Sequence, residues 1–297
     1  MKKIVFSSLT ITSLLLSSCN NDNDPPTTKN LTLSIHGLEN LGSNYVYEGW
    51  LMVSGVPVSS GRFTVNSSGQ LSQTLFPVPY EQLSTAKAFI LTIEPSTNDD
   101  PAPSKVHILA GDFNGNTGTA SIYHTAALGN NFSTTAGKYI LATPTDGGAM
   151  TNEESGVWFL DNSSGSAVAG LSLPTLPEGW KYEGWAVING IFVSTGTFTS
   201  PSIADDNANT SQYKESANNG PAFPGEDFLK NAPTGLTFPT DLKEKTIVIS
   251  IEPYPDNSPL PFTLKPLLQT IPANAAVHTV LSMTQNFSSF PTGSFSR

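Results

Sequence analysis

Few side chains in this 297-residue chain stand at spacings that do chemistry. Two Glu-x-Trp pairs, Glu48/Trp50 and Glu183/Trp185, put a carboxylate and an indole on one face of an extended segment, because side chains two apart in a strand point the same way. A ring beside a carboxylate could form a sugar-binding platform; on an inner strand the same indole could fill a core instead. Asp112, Asn114 and Asn116 place oxygens at alternating positions, as a calcium loop would. The glycine at 118 comes one place late for an EF-type loop and no distal glutamate follows, so an Asx-rich turn also fits. Tyr213, Phe223 and Phe228 lie in an irregular stretch and are candidate ligand-binding aromatics. His36, His107, His124 and His278 are isolated, which denies zinc its usual ligand spacing. There is no Gly-x-Ser-x-Gly elbow and no phosphate-cradling glycine loop. The expectation is a protein without catalytic residues, resident metal or cofactor.

What positions these residues is a repeated module. Over 47–64 against 182–199, ten of eighteen positions are identical at a fixed offset of 135, beginning with Tyr47-Glu48-Gly49-Trp50 and Tyr182-Glu183-Gly184-Trp185. A second block at offset 158 matches Ile93-Glu94-Pro95 to Ile251-Glu252-Pro253, and a last block matches Asn131-Phe132-Ser133 and Gly137-Lys138-Tyr139 to Asn286-Phe287-Ser288 and Gly293-Ser294-Phe295. Self-similarity at this scale means two copies of one unit. Each copy predicts a hairpin at its Tyr-Glu-Gly-Trp strand, turning at Ser54-Gly55 or Asn189-Gly190. An apolar strand follows, stopped by Glu-Pro because proline cannot donate to a ladder, and each copy is expected to end on its own version of one last strand. Glu94 and Glu252 are placed to accept N–H groups of the loops that follow.

Short strands with turn signals and no convincing amphipathic helix predict an all-β chain of two tandem, immunoglobulin-like β-sandwich domains. The repeat boundaries place them at 30–148 and 149–297, the second carrying an insert at about 200–245. Long inserts on rigid scaffolds tend to carry binding. One helical turn is expected at Asp227 to Asn231.

The N-terminus has Lys2 and Lys3, an apolar run from Ile4 to Leu16, and Leu16-Ser17-Ser18-Cys19. The run is too short to span a bilayer as a helix, which takes about 20 residues, and reads as a secretory signal over 1–18. Leu-Ser-Ser-Cys resembles the lipobox of bacterial lipoproteins. That resemblance implies cleavage before Cys19, the chain's one cysteine, and its acylation with diacylglyceryl and fatty-acyl chains such as palmitate, enough for stable anchoring. Residues 19–29 then read as a lipidated flexible tether. Asp22 and Asp24 look like the export signals of surface lipoproteins in Bacteroidetes-type bacteria. The expected location is the bacterial outer membrane, on either face, with the acidic residues after Cys19 favouring the cell surface. Loss of Lys2 and Lys3 takes the formal charge from −10 to −12, a surface that repels nucleic acid. The partners to expect are the membrane, through the lipid, and an envelope protein or a glycan.

Tyr47, Trp50, Gly55, Pro57, Val58, Gly61, Phe63, Glu94, Pro95 and Pro101 also follow a pattern that resembles the C-terminal extracytoplasmic domain of the anti-sigma-K factor family. The second copy keeps the pattern except for Phe192 in place of the proline. Such proteins hold their sigma factor through an N-terminal cytoplasmic domain and pass the signal through a membrane helix, neither of which is legible here. The resemblance therefore implies only the sensor-like outer domain: a non-enzymatic envelope protein that binds or scaffolds. A glycan-binding surface lipoprotein of a polysaccharide-uptake system is the alternative.

Overall fold

The repeated residues build the same hairpin twice. In a computed structural model, which describes residues 27–255 and 258–297, β2 (Tyr45–Val53) turns into β3 (Val56–Phe63), and β13 (Trp180–Ile188) turns into β14 (Ile191–Phe198). Both turns put two consecutive residues at positive φ: Ser54 and Gly55 at 52° and 81°, Asn189 and Gly190 at 52° and 82°. This is the twist-matched two-residue turn, for which asparagine is well suited and serine is not. Ser54→Asn is expected to stabilise the chain by up to about 1 kcal/mol, read as a higher denaturant midpoint at an unchanged slope.

The other repeated identities follow from the same geometry. Tyr47 pairs with Phe63 and stacks on it at 5.5 Å, as Tyr182 does with Phe198 at 5.7 Å. Each tyrosine hydroxyl donates to a carbonyl eight residues upstream, of Glu39 at 3.0 Å and of Pro174 at 2.7 Å. A bulge at Gly49/Trp50 and at Gly184/Trp185 sets Gly61 and Gly196 at φ 126° and 112°, a region that disfavours any side chain.

The first half adds β1 (Thr28–His36), β4 (Leu75–Pro79), β5 (Ala88–Pro95), β6 (His107–Asp112), β7 (Thr117–Ser121) and β8 (Ala136–Leu141). The second adds β9 (Gly156–Trp158), the two-residue strands β10 (Leu160–Asp161), β11 (Val168–Ala169) and β12 (Leu171–Ser172), then β15 (Gly225–Asp227), β16 (Thr246–Pro253), β17 (Leu267–Thr270), β18 (Leu281–Gln285) and β19 (Thr292–Ser296). The all-β expectation holds. Two antiparallel sheets carry the fold, in the orders β3-β2-β5-β6-β7-β19-β1-β4 and β14-β13-β16-β17-β18-β8-β9-β15. The first curls until its edges meet, Phe63 of β3 lying 5.8 Å from Phe76 of β4.

The two orders are identical in plan except that each sheet's sixth strand comes from the other half. β19, the last strand of the chain, lies between β7 and β1, pairing Phe295 with Leu33 on one side and Gly118 on the other. β8, its sequence counterpart, lies between β18 and β9, pairing Tyr139 with Leu281 and Leu141 with Val157. The expectation that each copy ends on its own strand is therefore corrected: the copies exchange their last strands. Strands cross the 148/149 boundary in both directions.

The crossing is fastened by aromatics from the repeated Asn-Phe-Ser segments. Phe132 is fully buried and meets Phe290 edge-on at 5.6 Å, and Phe290 packs on Phe287 at 5.5 Å. Glu39 of the first half accepts the Thr263 N–H of the second at 2.7 Å. One buried apolar cluster runs through both halves.

Three smaller corrections concern boundaries. β1 begins at Thr28, two residues inside the expected tether, because Thr28 and Lys29 pair with Pro79 and Val78 on β4. Asp227 ends a strand rather than starting a helical turn, since β15 pairs with β9. The α-helix among the described residues is instead α1 (Tyr80–Thr85), without a side-chain cap. The signal, Cys19, Asp22 and Asp24 lie outside the described residues.

Candidate functional site

The two Glu-x-Trp pairs lie on the sheet face turned away from the central core. Trp50 is buried there in a small cluster with Ile90, Ala110 and Ala127, and Trp185 meets Phe192 edge-on at 6.4 Å. So the indoles are buried, but beneath local cover rather than in the main core. Each donates its N–H to a strand hydroxyl, Trp50 to Thr92 and Trp185 to Ser250, both at 2.8 Å. Thr92 and Ser250 donate in turn to Glu94 and Glu252. Those carboxylates accept the N–H of Ser104 at 2.8 Å and of Phe262 at 2.9 Å, the strand-end role expected of them. Burial raises the pKa of Glu94, opposed by these donors.

Beside Trp50 the copies diverge. Arg62 reaches Glu48 at 2.9 Å, Asp99 at 2.6 Å and the Pro95 carbonyl at 2.6 Å, walling an open cleft of about 330 Å³. The second copy has Thr197 at the matching position, and there Asp206 accepts from Thr197 and Lys181, at 2.6 and 2.7 Å.

The three candidate aromatics are not gathered on a free face. Phe228 is fully buried and packs with Tyr213 and Phe238, ring centroids 5.5–6.1 Å apart. Phe223 is half-buried against the cluster of Ile140, Ala142, Trp158 and Leu160. The insert is thus folded back on the sheet, and its aromatics bury apolar area there. The calcium-loop residues form the tight turn between β6 and β7, with Asn114 N–H bonded to the Thr117 carbonyl at 2.7 Å. The Arg297 guanidinium occupies the Gly115 carbonyl at 2.8 Å, and the Asp112 carboxylate faces His124 at 3.4 Å. Among the described residues no group of three or more His, Cys, Asp or Glu is arranged to hold a metal.

A second concavity lies where β8, the segment after it and the insert meet. It measures about 310 Å³ and is walled by Ile140, Pro144, Met150, Trp158, Pro221 and His278. Glu153 stands at its edge, accepting the Thr143 N–H at 3.0 Å and lying 3.1 Å from His278 Nε2. Trp158 is held from behind by Asp227, which accepts its indole N–H at 2.7 Å and the Thr145 N–H at 2.8 Å. This arrangement can seat an apolar group beside a polar pair. Residues 153 and 278 are so far apart in sequence that no spacing could have joined them.

Three carboxylates of the insert are buried together. Burial, reinforced by their neighbours' charges, pushes Glu226 up to about 8 and Asp205 and Asp227 up to about 6. At the joint between halves, burial pushes Glu39 up to about 7. Folding therefore favours the protonated forms. Their stabilisation is complete below the ordinary carboxylate range and is lost as pH rises through 6 to 8. The melting temperature is expected to fall between pH 5 and pH 8.5, and Glu226→Gln to flatten the upper part of that slope. A melting temperature rising over this interval would contradict the assignment.

Residues 23–107 match the family model described as anti-sigma-K factor rskA, C-terminal. The match takes in β1 to β5 and ends on the first residue of β6. Comparison with curated proteins and with solved structures returned no match. The first module is thus similar to the C-terminal domain of anti-sigma-K factors.

Proposed function

We propose that this is a non-enzymatic, lipid-anchored protein of the bacterial outer membrane that binds or scaffolds an envelope partner through its interlocked β modules. The match of residues 23–107 to the anti-sigma-K C-terminal family carries this reading. The apolar concavity around Trp158 and Met150 supplies a surface for the partner, and Cys19 supplies the anchor. Cys19→Ala should move the protein from the membrane fraction to the soluble one. Crosslinking in intact cells followed by mass spectrometry should recover one reproducible envelope partner; recovery of none would remove the reading.

The glycan-binding alternative loses its three candidate aromatics but gains the open cleft lined by Glu48, Trp50, Arg62 and Asp99. Carboxylates, a guanidinium and an indole edge suit a polyhydroxylated ligand. A glycan array on which Arg62→Ala and the parent chain are both silent would eliminate it.

A further inference from the structure

The strand exchange makes one half of the chain the binding partner of the other. Residues 27–145 lack their sixth strand and take it from residues 292–296; residues 153–297 take theirs from residues 136–141. Everything else across the joint, including the Phe132–Phe290 contact and the bond from Thr263 N–H to Glu39, also joins first half to second. What ties the two halves into one molecule is a short covalent link. Thr145 and Glu153 are buried at its ends, and all of residues 147–152 are exposed. Gly147, Gly148, Met150 and Asn152 are held at φ 82°, 85°, 53° and 58°. For methionine that left-handed conformation is strained, and straightening the link would release it. Drawn out, this link spans roughly 25 Å at about 3.5 Å per residue.

We propose that two copies of this chain exchange halves. Residues 27–145 of one copy interlock with residues 153–297 of the other, and the reverse, giving a closed two-fold dimer. Both sixth-strand slots are refilled with the same residues in the same register, so only the link changes conformation. A self-complementary interface of this kind is a low-cost route to a dimer. Within one chain each half sees the other at an effective concentration in the millimolar range, which favours the monomer in dilute solution. The dimer is favoured where chains are crowded. This inference does not depend on the envelope-binding reading and stands or falls separately.

Thr32 of β1 and Ser296 of β19 face each other across the exchange. In the full chain carrying Cys19→Ser, Thr32→Cys and Ser296→Cys, the introduced pair is the only source of a disulfide. Oxidation after refolding at about 1 µM should give a linked monomer on a non-reducing denaturing gel, and at about 1 mM a covalent dimer. Deleting residues 148–151 shortens the link between the antiparallel neighbours β8 and β9 and should raise the share of covalent dimer at about 1 mM above that of the uncut link, since short hinge loops favour exchange. Linked monomer throughout, in both the concentrated sample and the shortened chain, would overturn the proposal. So would a dimer by light scattering that runs as linked monomer on the gel. A pair that never closes would contradict the β1–β19 register on which the proposal stands.

Discussion

Chain cleavage between Gly147 and Gly148 is expected to leave the protein physically whole. Both residues are exposed, so a protease site placed there should be cut without unfolding. The two fragments should then elute together and separate only at the denaturant concentration that also unfolds them. The reason is that removing either fragment takes a central strand from the other's sheet. β19 pairs at five positions with β1 and at five with β7, and each lost pairing would leave backbone N–H and C=O groups without partners. It would also uncover Tyr139 and Phe295, both buried. Two independent domains joined by a linker would behave oppositely, giving two folded fragments that part on dilution; that elution profile would refute the interlock.

Phe295→Ala is expected to destabilise a sheet to which its own half barely contributes. Phe295 is 2% exposed, lies 5.1 Å from Phe89 and meets Phe113 edge-on at 4.8 Å. A Cβ built on Gly118 would fall 2.2 Å from its ring, so the backbone of β7 packs directly on the ring and that position has no side chain to take its place. Truncation of such a buried ring costs about 3–5 kcal/mol. At roughly 2–4 °C per kcal/mol for a chain of this size, the melting temperature should drop by roughly 10 °C. Hydrogen exchange should speed up in β2 and β5 of the first half as well as in the second, in one cooperative transition. Protection lost only in the second half would mean that the halves fold separately.

How much of this was legible in the residues can be judged element by element. The hairpins were, because Asn189-Gly190 demands a particular turn and Tyr47 and Phe63 sit at the spacing that stacks them across it. The strand-end role of Glu94 and Glu252 was legible too, since a carboxylate before a proline faces a loop whose N–H groups need acceptors. The exchange was not, for a physical reason: β8 and β19 carry the same glycine-x-aromatic pattern, Gly137/Tyr139 and Gly293/Phe295, so the repeat does not say which of the two slots each strand fills. β9 hid its kinship with β1 because Gly156-Val157-Trp158 is buried on both faces, whereas Leu31, Leu33 and Ile35 alternate with less buried neighbours. Tyr213, Phe223 and Phe228 read as candidate ligand-binding residues because the stretch around them lacks the periodicity that would have marked a buried face. α1 has no cap to announce it, with Pro79 at its N-terminal boundary and no side chain bonded there. The concavity around Trp158 is assembled from the start, middle and end of the second half, plus the strand it borrows.

The pairing of residue 32 with residue 296 also sets an order of events. A chain that grows or emerges from its N-terminus makes β1 early and must keep the slot between β1 and β7 open until residues 292–296 have arrived. The first half therefore cannot be completed ahead of the second, unlike ordinary tandem domains, which fold one after another as they appear. Closure waits for a contact between residues 32 and 296, the kind of non-local pairing that slows folding most. A truncated chain ending before residue 292 would leave that slot unfilled, as a sheet open at its middle.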